Sequence, residues 1–153
     1  MATKIETITK DLYEEDFYVW AQRQAELLRS SRFDELDLEH LVDEVEDLAV
    51  LARSSVLNNA RVVMEHLLKL QRSPAQPPRR LWEASVFEHR ARLEIELTPG
   101  LRQLLDENVD RIYRMARRNT AAALRRYGEN EAADRLPAEC PYSLDQVLGD
   151  WLP

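Results

Sequence analysis

The sequence predicts an all-α fold, a single-domain bundle of about four main helices with an extended C-terminal tail. Two observations predict it. The 153 residues include only three glycines, and apolar side chains recur at spacings of three and four almost everywhere. One such stripe, Leu38, Val42, Val45, Ala49, Ala52, Val56, Asn59, Val63, His66 and Leu70, runs without a Pro or Gly between its ends, as a heptad-like seam does.

A first helix is predicted from about Leu12 to Arg29. The capping box Asp11-x-x-Glu14 opens it, and Tyr13, Phe17, Trp20, Gln24, Leu27 and Leu28 form its stripe. A short connection leads to Asp37, an N-cap for the second helix. That helix is predicted over 38–71, roughly 50 Å long at 1.5 Å per residue. Ala49 and Ala52 would let a partner helix approach near its middle, so a homodimer through this helix is expected. Ser73–Pro78 reads SPAQPP and must end it, because proline lacks the amide donor and restricts its predecessor. The loop spans 73–80.

A third helix, about Leu81 to Leu97, carries Trp82, Val86, His89, Leu93 and Leu97 on one side. Thr98-Pro99 then supplies an N-cap and first helical position. The fourth helix ends at Gly128, with Leu105, Val109, Ile112, Ala116, Ala123 and Tyr127 facing inward. The tail, 137–153, is extended by its prolines, carries a short helix capped by Ser143-x-x-Gln146, and is too apolar to remain free. It is expected to pack on the body.

The blocks YEEDFYVWAQRQAELLR, FDELDLEHLVDEVEDL, HLLKL, WEASVFEHR, TPGL and PAECPYSLDQVLGDWLP occur in this order between Tyr13 and Pro153. With these blocks the chain resembles the bacterial family catalogued as domain of unknown function twenty-nine. The resemblance implies an all-helical bacterial protein and no assigned activity.

Composition narrows the function. A net charge of −7 opposes general nucleic-acid binding, which needs a basic surface. No apolar run is long enough to span a bilayer, and the first residues lack the apolar region of a secretion signal, so a cytoplasmic protein away from membranes is expected. The single cysteine, Cys140, supplies neither a disulfide nor a structural zinc site. Charge is segregated: Phe33 to Ala52 holds eight acids and no Lys or Arg, and Arg111 to Arg126 holds six arginines and no acid.

On a helical wheel, Leu38, Leu41, Val42, Val45, Ala49 and Ala52 share one side. Glu39, His40, Asp43 and Asp47 fall on the other, and Glu44 and Glu46 flank the stripe. Acids in the first turns also face the positive end of the helix dipole, so Glu39, Asp43 and Asp47 read as a solvated face. Arg111, Arg114, Arg118 and Arg125 occupy the side of the fourth helix opposite its apolar residues, and are candidates for docking on an acidic surface.

The primary functional expectation is therefore a non-enzymatic interaction module, with protein partners and no cofactor. The alternative is a metal-dependent hydrolase in which Glu44, Glu46 and His66 hold a divalent cation that activates water, with Arg90 as an anion partner. Along an unbroken helix Glu44 and His66 stand about 33 Å apart. They would meet within one chain only if the helix turned at Ser54-Ser55, where no Gly or Pro favours a turn. Asp37-x-x-His40 alone has the acid-x-x-His spacing of helical di-iron sites; it occurs once, and Asp37 is better used as a cap.

Overall fold

The computed structural model describes residues 12–153. Every regular element among them is helical. In order they are α1 (Phe17–Arg29), a 3-10 turn (Phe33–Glu35), α2 (Leu38–Arg72), α3 (Arg79–Glu96), α4 (Pro99–Arg126), α5 (Asn130–Asp134) and α6 (Leu144–Leu148). The chain divides into two compact units, Met1–Leu51 and Ala52–Pro153.

In the first unit the helix expected from Leu12 is interrupted. Residues 12–15 are helical, but Asp16 leaves helical geometry (φ −150°) and caps α1 by accepting from the Val19 amide at 3.1 Å. The expected cap Asp11 lies outside the described residues. α1 ends with Ser31 in the left-handed region (φ 57°), while the Arg32 and Ser31 amides close back on Leu27 and Leu28 carbonyls. This is the Schellman arrangement, usually made by glycine. The end of α4 repeats it with Gly128 (φ 80°), whose neighbour Glu129 donates its amide to the Leu124 carbonyl at 2.9 Å.

α2 is continuous across Ser54-Ser55. The seam read from the sequence builds the core of the second unit from Val56 onward, where Val56, Ala60, Val63, Met64, Leu67, Leu68 and Leu70 are buried. Val86 and Leu93 of α3 and Leu105, Ile112, Tyr113, Ala116 and Leu124 of α4 belong to the same core. The seam's polar member Asn59 is satisfied: its Oδ1 accepts from His89 Nδ1 at 2.7 Å, and its amide donates weakly to Glu96, which also takes the Ser55 hydroxyl at 2.8 Å. Buried polar groups need such partners. His66 Nδ1 lies 3.0 Å from the Val62 carbonyl, one turn back on its own helix.

Thr98 caps α4 with Pro99 in its first turn, and Ser143 and Gln146 form the expected capping box on α6. Gly149 then ends α6 where a Cβ would lie 2.8 Å from the Asp145 carbonyl oxygen. The tail packs on this unit through Leu136, Tyr142 and Val147. Two expectations fail. Tyr127 is 80% exposed rather than inward, because the chain turns away at Gly128. The five-residue helix α5 is an addition to the expected elements, since NEAAD is too short to show a repeat.

Candidate functional site

Asp37 organises the first unit. Its backbone amide donates to Gln24 Oε1 at 2.9 Å; its Oδ1 takes the His40 amide at 3.4 Å; its Oδ2 takes the Trp20 indole N–H at 3.1 Å and lies 2.7 Å from His40 Nδ1. Asp37 is therefore the cap the sequence predicts and the partner of His40 as well. Burial pushes its carboxyl up, but the hydrogen bonds from His40 and Trp20 outweigh this and hold it below the usual aspartate range. Tyr13 stacks on the His40 ring with centroids 3.9 Å apart, Trp20 meets both rings edge-on, and the Tyr13 hydroxyl donates to Glu44 at 2.6 Å. That bond, aided by nearby acids, pushes the Tyr13 phenol up to about 12.

The residues that fasten the start of α2 to α1 and to Tyr13 before it are thus Asp37, His40 and Glu44, all at least partly covered. This corrects the helical wheel, which placed His40 on the solvated side. The apolar stripe is left outside. Leu38 is 61% exposed, Val42 54%, Val45 63%, Leu48 66% and Leu51 66%, and Ala49 and Ala52 are exposed with them. Glu46 flanks this face and is exposed, and Asp43 and Asp47, also exposed, lie on the opposite side of the helix. Asp37 engages its amide and both carboxylate oxygens within the knot, whose chemistry is that of a fastener, while the amide nitrogen of Gln24 is buried beside it without a partner among the described residues. The open side of α2 in this unit is an aliphatic helix face with Glu46 at its edge.

The remaining candidates are dispersed. Glu44 is engaged by Tyr13, Glu46 is exposed, and His66 belongs to the second unit. Burial and the Lys69 ammonium hold the His66 imidazole below its usual range. Arg90 donates to the carbonyls of Val147, Gln146 and Trp151 at 2.7–2.9 Å, so it fastens the tail. Beside it, α3 and the tail line an open cleft of about 600 Å³ that includes Phe87, Glu94 and Leu152. Arg111, Arg114 and Arg118 are exposed, and Arg125 pairs with Asp134 at 2.7 Å. Among the described residues no three His, Cys, Asp or Glu side chains are grouped so as to hold a metal ion. No helix among them is long and apolar enough to cross a membrane.

The sequence model of the family described as "Domain of unknown function DUF29" matches residues 12–152. The chain belongs to this family. The match spans both units of this DUF29 protein, from the helical residues before Asp16 to the end of the tail. No curated protein and no solved structure matches the chain. The Asp37 fastener is invisible when capping and side-chain pairing are treated as alternatives; one carboxylate with two oxygens performs both. The spacing Asp37-x-x-His40 is the signal for it in the sequence.

Proposed function

We propose that this protein is a non-enzymatic interaction module whose docking surface is the aliphatic face of α2 between Leu38 and Leu51. The exposure of that face supports the proposal. Residues that repeat at helix-packing spacing are covered where α2 enters the second unit and open where it belongs to the first. Contiguous exposed aliphatic faces of this kind mark interaction sites.

Magnitudes favour a reversible contact. Burying a Val or Leu fully is worth about 1.5–3 kcal/mol, so covering the open parts of five such residues contributes on the order of 5–9 kcal/mol. Association itself costs about 4–15 kcal/mol. The face alone therefore supports weak binding, and a lasting complex needs a further contribution from the partner.

A photo-crosslinking residue introduced at Val45, and for comparison at Glu107, tests the surface in cells. The proposal expects a discrete adduct from position 45 that disappears when Leu48→Asp is added, and no such adduct from position 107. Identical adduct patterns from the two positions, unchanged by Leu48→Asp, would sink it.

A further inference from the structure

We infer that the occupant of the α2 face is a cationic amphipathic helix of another protein rather than a second copy of this chain, an inference that rests on the docking surface proposed above. Charge decides between these occupants. Met1–Leu51 carries five Lys or Arg against fourteen Asp or Glu, a net −9, whereas Ala52–Pro153 carries sixteen against fourteen, a net +2. The overall −7 therefore conceals one strongly acidic unit, and the open face belongs to it. A two-fold dimer uses the same patch on both partners, so pairing through this face would bring −9 against −9. Glu46, which flanks the face, would then meet or lie beside its own copy, and like charges facing each other oppose association.

The chain's own basic stripe does not solve this. Arg111, Arg114 and Arg118 are exposed, but that side of α4 lacks aliphatic residues to match Val42, Val45 and Leu48. An anionic membrane surface or a nucleic acid has the wrong sign for a net −9 unit. The face asks for apolar residues at spacings of three and four, which a helix supplies, with Lys or Arg along the flank that meets Glu46 and toward the surplus negative charge of the unit. Such a partner adds charge attraction to an apolar contact that is marginal by itself.

Two designed 20-residue helical peptides test this on the full chain. Both carry the same leucines at three-four spacing, and they differ only in Lys or Glu flanks. Fluorescence anisotropy at 0.15 M salt should show the Lys peptide binding at least about tenfold tighter than the Glu peptide, weakening as salt screens the contact. Val45→Asp with Leu48→Asp should abolish binding while circular dichroism and melting stay unchanged. Asp43→Lys with Glu46→Lys should weaken the Lys peptide and strengthen the Glu peptide, a reversal that mere loss of folding cannot give. Equal binding of the two peptides would overturn the inference and leave the docking surface standing. So would a concentration-dependent dimer in sedimentation that Val45→Asp dissolves. No binding of either peptide, with no dimer, would overturn both.

Discussion

The two halves of α2 are written in nearly the same pattern and end in opposite environments. Eighteen residues are five full turns at 3.6 residues per turn, so positions eighteen apart point in the same direction. Leu38 corresponds to Val56, Val42 to Ala60 and Val45 to Val63. The first of each pair is 61%, 54% and 63% exposed; the second is 0%, 1% and 0% exposed. Ala49 and Leu67 continue the correspondence. Periodicity thus determines which side of a helix is apolar, and only the neighbouring elements determine whether that side is covered. In the second unit α3, α4, α5 and the tail contribute the rest of the core. In the first, α1 and Tyr13 before it are fastened along Asp37, His40 and Glu44, one side over, and the stripe is left open.

The comparison breaks most visibly with truncations. Leu67→Ala should destabilise the protein by about 2–5 kcal/mol, since it leaves a cavity in a packed core. Leu48→Ala, at a position 66% exposed, should stay within about 0.5 kcal/mol. Urea denaturation compares the two directly, and similar losses would mean that the open face is covered in solution. Next comes the fastener. Asp37→Ala removes a helix cap and the partner of two side chains, so a loss of about 2 kcal/mol or somewhat more is expected. Hydrogen exchange should localise the loosening to α1 and the first turns of α2, leaving residues 56–70 protected. A smaller change of opposite sign is expected at the turn after α1, where Ser31 holds φ 57°. Ser31→Gly should stabilise by about 1 kcal/mol, measurable as a raised melting temperature.

Acid separates the units by pH window. Burial holds His66 and His89 below the ordinary histidine value of 6.5 in the second unit. A folded state that prefers neutral imidazole loses stability as pH falls below 6.5 and through the depressed values, because the unfolded chain binds the protons first. Asp37 in the first unit is lowered from 3.8, so its contribution persists until pH falls below that value. Melting temperature should therefore drop as pH falls below 6.5, and His66→Gln with His89→Gln should flatten that drop. An unchanged slope in the double variant would contradict the assignment.

Much of the fold can be read from the residues because the relevant forces are local. The three-four spacing identifies the helices, and Asp37, Thr98-Pro99 and Ser143-x-x-Gln146 identify three of their starts through unpaired amides that need acceptors. The break at Asp16 escapes, because YEEDFY continues the stripe and nothing in its periodicity shows that Asp16 will cap rather than extend. The openness of the α2 face escapes for a different reason. A wheel ranks sides of one helix by polarity, and here the tightest contacts of the first unit are polar and aromatic: Tyr13 on His40, Trp20 on Asp37, Tyr13 on Glu44. His40 and Glu44 therefore turn inward past a more apolar side that stays open. Arg90 resembles an anion partner in the sequence, which cannot show that three tail carbonyls already occupy its guanidinium.

The most direct test of the account is thiol reactivity along the shared line of α2. In a Cys140→Ser background, Val45→Cys and Val63→Cys are conservative changes at two positions that point the same way. Alkylation at position 45 should proceed near the rate of an unfolded control and should not depend on protein concentration. Position 63 should react more slowly by about a thousandfold or more, since reaction there waits on opening of a core that costs several kcal/mol. Equal protection at the two positions, or protection at 45 that grows with concentration, would show the face already buried and contradict the account.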